Sequence, residues 1–351
     1  MTHLTISRTR PALASVAMLL ALSANAQTTP SADSVAAHVA AATQAAASDL
    51  KGLMSLCTPA PATRPSAAAS GGVNRVAVEI ARPAPPPGMA FDNLAYVGGR
   101  WSGAWALQTS EGSILLDALN NAAEAKALVE GGMVKLGLDP AKLKMIVVSH
   151  AHGDHYGGAP YLIERYGSKM VMSDADWRMS ETALEFTNPL WPGPPKRGIG
   201  DRSVNDGDSV TLGDTTLKFY ITGGHTLGTL STVFDVKSGA TTHRAMLWGG
   251  TAFNFGRDIP RMELYIAATA RMAQIAKEQG ISVMLSNHPD YDGTVAKLPA
   301  VSSSSNPFVI GTPTVVRALT VMGECAQAQR DRYLLMPCSL AICAIRAVAA
   351  I

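Results

Sequence analysis

The fold of this chain is decided by the stretch Val147-Val148-Ser149-His150-Ala151-His152-Gly153-Asp154-His155-Tyr156-Gly157-Gly158. Three histidines and one aspartate fall within six residues, directly after an apolar run that is typical of a buried strand. His150 and His152 are two residues apart, so in extended chain their imidazoles face the same side and can meet one ion. Asp154 and His155 lie beyond the bend, where they would face a second ion. Because imidazole and carboxylate suit zinc, the stretch predicts a metal site.

The pattern His-x-His-x-Asp-His followed by Gly-Gly resembles the signature of the metallo-β-lactamase superfamily. The resemblance covers about residues 90–330 and implies an α/β fold. That fold is an αββα sandwich of two mixed sheets with helices on the outer faces and a metal site at the edge between the sheets. The superfamily includes lactamases, thioesterases, lactonases, nucleases and oxygenases, so the fold alone does not fix the substrate.

Two later histidines complete the predicted site. His225 and His288 each follow an apolar strand, and both contexts match the third and last histidines of the superfamily pattern. The resemblance then implies two zinc ions, each with three protein ligands. The first ion is assigned to His150, His152 and His225, and the second to Asp154, His155 and His288. Three protein ligands with one open position are the arrangement of a catalytic zinc.

Departures from the family pattern indicate which branch of the superfamily this chain resembles. Many of these hydrolases carry a bridging aspartate after the hairpin strand, and Gly250 stands at that place here. The chain also has no cysteine there to serve as a ligand of the second ion. This combination is most similar to subclass B3 and disfavours glyoxalase II-like sites. Subclass B3 enzymes often hold the substrate carboxylate with a serine pair, for which this chain offers Thr251 and Asn254 as substrate-binding residues.

The expected reaction is hydrolysis of a β-lactam amide by a metal-bound hydroxide, with Asp154 as the catalytic residue that orients it. A lactonase or another ester or thioester hydrolase is the alternative enzyme, and a non-catalytic zinc-binding protein is the third possibility. A covalent serine route has little support, because Ser149 lacks a Gly-x-Ser-x-Gly elbow. The expected partner is a small molecule, a β-lactam or a lactone.

Residues 1–26 are typical of a secretory signal peptide, with two arginines before an apolar core and Ala24-Asn25-Ala26 at the cleavage site. We therefore expect a periplasmic or secreted protein, and antibiotic resistance as its biological role. Cleavage would leave 27 basic against 27 acidic residues. A neutral chain argues against nucleic acid as a partner, because phosphate binding needs a basic surface.

The remaining chain divides into three predicted segments. Residues 27–88 combine one or two helices, which could lie over the active-site mouth, with a Pro-rich linker at 58–88 that packs no core. Residues 89–333 form the catalytic domain. Residues 334–351 are an apolar tail that reads as a packed or disordered end, and a membrane-spanning tail is the less favoured interpretation. The oligomeric state stays open.

Apolar periodicity and turn residues predict the elements of the catalytic domain. Strands are predicted at 94–97, 105–109, 113–117, 145–148, 170–173, 209–212, 217–221, 230–236, 244–248 and 281–285. Helices are predicted at 122–135, 160–166, 262–279 and 313–333. Asp174 or Asp176 is expected to cap the helix after 173. The Pro-rich stretch 188–200 is either a substrate-facing loop or a surface excursion.

Four cysteines offer disulfide partners in an exported protein, namely Cys57, Cys325, Cys338 and Cys343. A Cys57–Cys325 bond, which would tie the N-terminal segment to a late helix, is favoured. Cys325–Cys338 is the alternative, and sequence alone cannot choose between them.

Overall fold

The computed structural model describes residues 29–63 and 73–337. The predicted signal peptide at 1–26 and the predicted tail from residue 338 onward lie outside the described residues. Among the described helices, none is long and apolar enough to cross a membrane.

Seven strands form the first sheet, in the order β1-β2-β3-β4-β5-β6-β7. Their bounds are β1 (Gly88–Phe91), β2 (Leu94–Tyr96), β3 (Trp105–Thr109), β4 (Gly112–Leu116), β5 (Leu143–Val147), β6 (Lys169–Ser173) and β7 (Arg202–Val204). Strands β1 to β4 pair antiparallel, and β4 to β7 pair parallel. The parallel part brings the carboxyl ends of its strands to one edge, where side chains from different strands can meet.

Five strands form the second sheet, in the order β12-β11-β10-β9-β8. Their bounds are β8 (Ser209–Leu212), β9 (Thr215–Ile221), β10 (Leu230–Ser238), β11 (Thr241–Trp248) and β12 (Ile281–Ser286). All neighbours are antiparallel except β11 and β12, which are parallel. Both sheets are therefore mixed, as predicted.

Helices cover the outer faces of the two sheets. Their bounds are α1 (Ala32–Ala46), α2 (Arg75–Ile80), α3 (Ala122–Glu124), α4 (Gly131–Lys135), α5 (Gly153–Tyr156), α6 (Ala159–Tyr166), α7 (Asp174–Thr182), α8 (Ile259–Gln279), α9 (Pro289–Asp292), α10 (Thr294–Lys297) and α11 (Thr312–Leu335). Between α3 and α4 the chain continues as a π-helical segment, Ala125–Glu130. The predicted helix at 122–135 is thus one helical run with a π-helical middle.

Three apolar layers hold the sandwich together. The layer between the sheets includes Trp105, Phe234 and Phe308. The outer face of the first sheet packs against α3 to α7 around Trp177, and that of the second against α1, α8 and α11 around Tyr265. Each fully buried side chain of this size contributes about 1.5–3 kcal/mol relative to exposure. The predicted αββα sandwich is confirmed.

The N-terminal segment packs on the last helix. Helix α1 lies on α11, and the chain then forms a 3-10 turn at Lys51–Cys57. A disulfide joins Cys57 to Cys325, which confirms the favoured pairing and excludes the Cys325–Cys338 alternative. The segment is thereby fixed beside the end of the sandwich that carries the histidines.

Two local predictions are wrong. Helix α7 is capped by the Ser173 hydroxyl, which accepts from the Asp176 backbone N–H, and not by Asp174 or Asp176. The Asp176 carboxylate is occupied elsewhere, with donors of the metal-site loops. The supposed linker at 58–88 also contains a helix, α2, whose first turn is capped by Asn74. Ahead of this helix, Ala60 packs against the apolar layer around Tyr265.

Candidate metal centre

The histidine motif sits where β5 ends at the carboxyl edge of the first sheet. His150, His152, Asp154 and His155 are all buried, and α5 begins directly after His152. The backbone N–H of His152 donates to the His150 carbonyl at 3.0 Å, which closes the turn. Glycine is required behind this turn, because a Cβ on Gly157 would lie 1.9 Å from the backbone oxygen of Asn120.

The first ligand group consists of His150, His152 and His225, which converge on one point. His225 comes from the loop after β9, in the other sheet. Its Nε2 lies 3.0 Å from Nε2 of His150 and 3.1 Å from Nδ1 of His152. Three ring nitrogens at this spacing can contact a single cation.

The second ligand group consists of Asp154, His155 and His288. His288 follows β12 and is the N-cap residue of α9. The Asp154 Oδ2 atom lies 3.2 Å from Nε2 of His155 and 3.6 Å from Nε2 of His288. The structure thus brings together all six residues that the sequence assigns to metal, in the predicted groups; we call them the histidine cluster.

Each imidazole of the histidine cluster is oriented by an acceptor on its outer nitrogen. The five pairs are His150 Nδ1 with Gly249 O at 2.7 Å, His225 Nδ1 with Ala252 O at 2.7 Å, His155 Nδ1 with Asp117 Oδ2 at 2.8 Å, His288 Nδ1 with Trp101 O at 2.8 Å, and His152 Nε2 with Glu185 Oε2 at 3.2 Å. These acceptors favour the tautomer with the proton on the outer nitrogen, so each neutral imidazole presents a lone pair on its inner nitrogen, as in metal-ligating histidines. Among the described residues, the inner Nε2 of His155 is buried and has no hydrogen-bond partner. The donor set therefore fits zinc.

The two ligand groups differ in electrostatics. Burial, followed by the neighbouring imidazoles, holds the pKa of His150 and of His225 well below the ordinary value. In the second group burial opposes ionisation, but the attraction between Asp154 and His155 outweighs it. The pKa of Asp154 lies well below its usual range, and that of His155 rises to about 10 with help from Asp117. Only the second group contains a negative charge that would attract a cation.

Asp117 is a supporting residue that sequence reasoning missed. It follows β4 with a φ of 60°, in the left-handed region that a non-glycine residue rarely adopts. Its carboxylate accepts from the Ser149 N–H at 2.7 Å, from the Ser149 hydroxyl at 2.8 Å and from His155. Ser149 is thereby used as a buried donor to Asp117. The available signal was an acidic residue ending the strand that pairs with β5.

Asp176 is a second missed residue, and it joins the two loops that carry the first ligand group. Its carboxylate accepts from the Ala151 N–H at 2.9 Å, the Thr226 hydroxyl at 2.9 Å and the Gly228 N–H at 3.0 Å. Burial raises its pKa, and these three donors oppose the rise. The contacts hold the motif loop against the loop of His225.

Glu185 and Arg261 are also absent from the sequence-based prediction. Glu185 orients His152 and forms an ion pair with Arg261. Burial alone would raise the pKa of Glu185, but the His152 hydrogen bond and the positive charge of Arg261 lower it to about 2. No sequence pattern marks either residue, because both lie far along the chain from the motif.

A cleft of about 1050 Å³ opens over the histidine cluster. His152, Asp154, His225 and His288 all line it. Its aromatic walls come from Trp101, Phe186, Trp191 and Tyr291. This size accommodates a small-molecule substrate above the ligand atoms.

The Pro-rich loop at 188–200 is divided between the two predicted roles. Asn188, Pro189 and Trp191 line the cleft, and the Trp191 indole N–H donates to Asn120 Oδ1 at 2.8 Å. Farther along, Ile199 is 97% exposed. The first part faces the cleft and the rest is a surface excursion.

A further wall of the cleft comes from the segment before the catalytic domain. We call it the N-terminal wall, formed by Lys51, Gly52, Ser55, Val73, Asn74, Arg75, Val76, Glu79 and Arg82. Asn74 and Asn188 exchange two side-chain amide hydrogen bonds, at 2.9 and 3.2 Å, between this wall and the Pro-rich loop. Of the predicted helical segment 31–56, only the stretch around Lys51, Gly52 and Ser55 lines the cleft.

Residues 102–238 match the model of the metallo-β-lactamase superfamily. The crystal structure of BJP-1, a subclass B3 metallo-β-lactamase of Bradyrhizobium japonicum, is similar at a TM-score of 0.59 and 30% identity. The match covers 67% of this chain and 90% of that one. The chain belongs to the metallo-β-lactamase superfamily. The predicted membership and the predicted similarity to subclass B3 are confirmed.

Two further proteins are similar to this chain. A metallo-β-lactamase of Cronobacter sakazakii shares the fold, with a TM-score of 0.64 and 22% identity over 80% of this chain and 98% of that one. Among curated proteins, a hydroxyacylglutathione hydrolase of Rhodopseudomonas palustris is 32% identical over 116 residues. That match covers 33% of this chain and 36% of the relative, so the chain spans about a third of the curated relatives it matches.

Gly250, at the place of the superfamily's bridging aspartate, is packed tightly. A Cβ on this residue would lie 2.7 Å from the Cβ of His225 and 2.8 Å from its Cδ2. No side chain fits at 250 unless the His225 imidazole moves. This backbone therefore has no room for a bridging aspartate while the first ligand group keeps its geometry.

The two predicted substrate-binding residues, Thr251 and Asn254, lie in different places. Asn254 is half-buried and lines the cleft beside His225. Thr251 is buried and does not line the cleft; its carbonyl accepts from the Tyr265 hydroxyl at 3.0 Å. It lines a second cavity of about 430 Å³, which shares Lys51, Gly52, Asp290 and Tyr291 with the cleft. The chain after β11 turns Thr251 inward, and its role in substrate binding stays a prediction.

Proposed function

We propose that this superfamily hydrolase is a B3-like metallo-β-lactamase that opens the β-lactam amide with two zinc ions. The observation that carries the proposal is the histidine cluster, six ligand side chains in two groups that face one cleft. Three protein ligands per group leave a position for water or substrate, as in catalytic zinc sites. The similarity to BJP-1 over 90% of that protein supports the lactamase assignment.

When bound, zinc would lower the pKa of a water molecule towards ~7 and polarise the carbonyl to be attacked. Asp154 stays ionised at neutral pH, because the pKa of its carboxyl is held well below the usual range. It therefore acts as an acceptor that orients the attacking water, and it is too weak a base to keep the proton. The acceptors on the outer nitrogens of the five histidines keep these ligands in place during the reaction.

The cleft also suits an anionic substrate with an apolar body. Its N-terminal wall carries the basic residues Lys51 and Arg75, while its third basic residue, Arg82, is paired with Glu79 and Asp290. A β-lactam carries a carboxylate next to its ring nitrogen, and the amide of Asn254 can donate to it from the opposite wall. The aromatic walls would cover the rest of the molecule.

The second candidate is a lactonase or a thioester hydrolase with the same site. The hydroxyacylglutathione hydrolases among the curated relatives favour it. The packing of Gly250 against His225 weighs against it, because the resemblance associates those sites with a bridging aspartate.

Parallel assays of the zinc-loaded protein test this choice. We would compare nitrocefin, an acyl-homoserine lactone and a hydroxyacylglutathione thioester, with His152→Ala as the inactive variant and His243→Ala as the matched control. Nitrocefin turnover that His152→Ala abolishes supports the lactamase. Turnover of the lactone or thioester alone would reverse the assignment. Zinc binding that is lost in His152→Ala, with no hydrolysis by the wild type, would favour the non-catalytic protein.

We also propose that the chain is exported to the periplasm or the medium and confers β-lactam resistance. The Cys57–Cys325 disulfide supports export, since such bonds persist in oxidising compartments. Expression in a sensitive bacterium tests both points. A processed chain starting at Gln27 and a higher inhibitory concentration of a β-lactam are expected. A full-length cytoplasmic chain would contradict export.

A further inference from the structure

We infer that Arg261 and Glu185 form a positioning pair that fixes the first ligand group by holding His152 and His225 at the same time. The inference rests on the metal-binding part of the proposed function. It assigns a role to two residues that no ligand motif contains.

His152 is the exceptional member of the first ligand group. His150 and His225 direct Nε2 inward, and backbone carbonyls accept from their outer Nδ1. His152 directs Nδ1 inward instead, and its outer Nε2 faces the Glu185 carboxylate at 3.2 Å. A carboxylate is a stronger acceptor than a carbonyl, so it fixes this tautomer and makes the inner nitrogen a better ligand.

Glu185 needs a cation nearby, because its side chain is only 15% exposed. Arg261, in the first turn of α8, supplies it with a side chain that is 7% exposed. One guanidinium nitrogen pairs with Glu185 Oε1, and another lies 3.3 Å from Oε2. The guanidinium also lies 4.3 Å from the Phe255 ring centroid, which limits its movement.

The same guanidinium reaches the other ligand loop. Arg261 Nε donates to the Gly224 carbonyl at 2.9 Å, and a terminal nitrogen donates to the carbonyl of His225 itself. One side chain thus connects the carboxylate that orients His152 with the backbone that carries His225. Only the planar, five-donor guanidinium can make these contacts together, and a lysine has no equivalent geometry.

Zinc affinity tests the positioning role separately from hydrolysis. We would measure Zn²⁺ competition with a chromophoric chelator in a His288→Ala background, where the first ligand group remains intact. We expect Glu185→Gln and Arg261→Lys to weaken this affinity about 10- to 100-fold. The absorption bands of the Co²⁺-loaded protein should shift as well. The matched control is Arg271→Lys on the same helix, whose surface pair with Asp206 should leave affinity and bands unchanged.

The double variant Glu185→Gln/Arg261→Met separates positioning from stability. Removing both charges should restore the melting temperature that Arg261→Met alone loses, since no buried charge is left unpaired. Zinc affinity should stay low, because His152 has lost its carboxylate. Affinity that recovers together with the melting temperature would overturn the inference, and so would wild-type Co²⁺ bands in Glu185→Gln. Absence of Zn²⁺ binding in the His288→Ala background itself would instead count against the proposed function.

Discussion

The histidine cluster and the N-terminal wall face the same cleft but are built in different ways. The cluster comes from strand ends of both sheets, and every imidazole in it has an acceptor on its outer nitrogen. The wall comes from a segment outside the sandwich and is fixed by a disulfide, an amide pair and the Arg82–Asp290 ion pair. From this comparison we expect a division of labour, in which the sandwich determines the chemistry and the wall determines which molecules reach it.

The largest expected effect comes from removing one ligand of the histidine cluster. In His225→Ala we expect one zinc equivalent to be lost and hydrolysis to fall by about 10³-fold, or roughly 4 kcal/mol. Metal analysis and steady-state kinetics measure both. His243→Ala, a half-buried histidine on β11, is the control that should retain two equivalents. Full activity in His225→Ala would contradict the role of the first group.

Metal removal should expose the electrostatic difference between the two ligand groups. The raised pKa of His155 contributes stability below pH 6.5 that is lost as the pH rises towards 10, on the order of 5 kcal/mol. The lowered pKa values of His150 and His225 cost stability as the pH falls below 6.5. Thermal unfolding of the chelator-treated protein should therefore peak near pH 6.5. In His155→Asn the alkaline decline should disappear, and its persistence would contradict this account.

Removing the Cys57–Cys325 disulfide perturbs the N-terminal wall without changing any residue of the histidine cluster. Cys57→Ser should lower the free energy of unfolding by about 2–4 kcal/mol, because the closed loop is long. It should also raise KM while zinc content stays at two. Denaturant unfolding and metal analysis measure this. Cys338→Ser is the control and should leave the free energy of unfolding, KM and the zinc content unchanged. A loss of zinc in Cys57→Ser would show that wall and cluster are not independent.

Gly250 allows a smaller perturbation from within the cluster. Gly250→Ala should press on His225 and weaken zinc binding by about 1–3 kcal/mol, as overpacking does. Gly193→Ala is the control, since an added Cβ there meets nothing within 4 Å. Equal zinc affinity in Gly250→Ala and Gly193→Ala would mean that the loop carrying His225 can move aside at little energetic cost.

The amide pair between wall and loop should have the smallest effect. Asn188→Ala removes both hydrogen bonds to Asn74 and should cost about 1 kcal/mol of stability. KM for bulky substrates should change while kcat and zinc content stay constant. Asn205→Ala, on an exposed loop, is the matched control. A changed zinc content in Asn188→Ala would argue against the division of labour.

The sequence predicted the cluster because its ligands follow local rules. His150 and His152 are two residues apart directly after β5, and His225 and His288 each follow an apolar strand at the same sheet edge. Such residues can be found from short patterns. The two-sheet fold follows from the same strands and from the resemblance that the motif carries.

The supporting residues could not be predicted in this way. Glu185 and Arg261 lie 76 residues apart and meet only because α8 begins beside the His225 loop. Thr251 shows the opposite case, since its neighbourhood in sequence suggested the cleft but the backbone turns it inward. The proline-rich composition before residue 88 suggested a linker, yet its described part contains the helix α2, which Asn74 caps beside the cleft.

Anomalous diffraction at the zinc edge, on crystals of the zinc-loaded protein, tests the central claim most directly. Two peaks are expected, one among the inner nitrogens of His150, His152 and His225, and one among Asp154, His155 and His288. A single peak at any other place, or imidazoles of His225 and His288 turned away from the motif loop, would contradict the account.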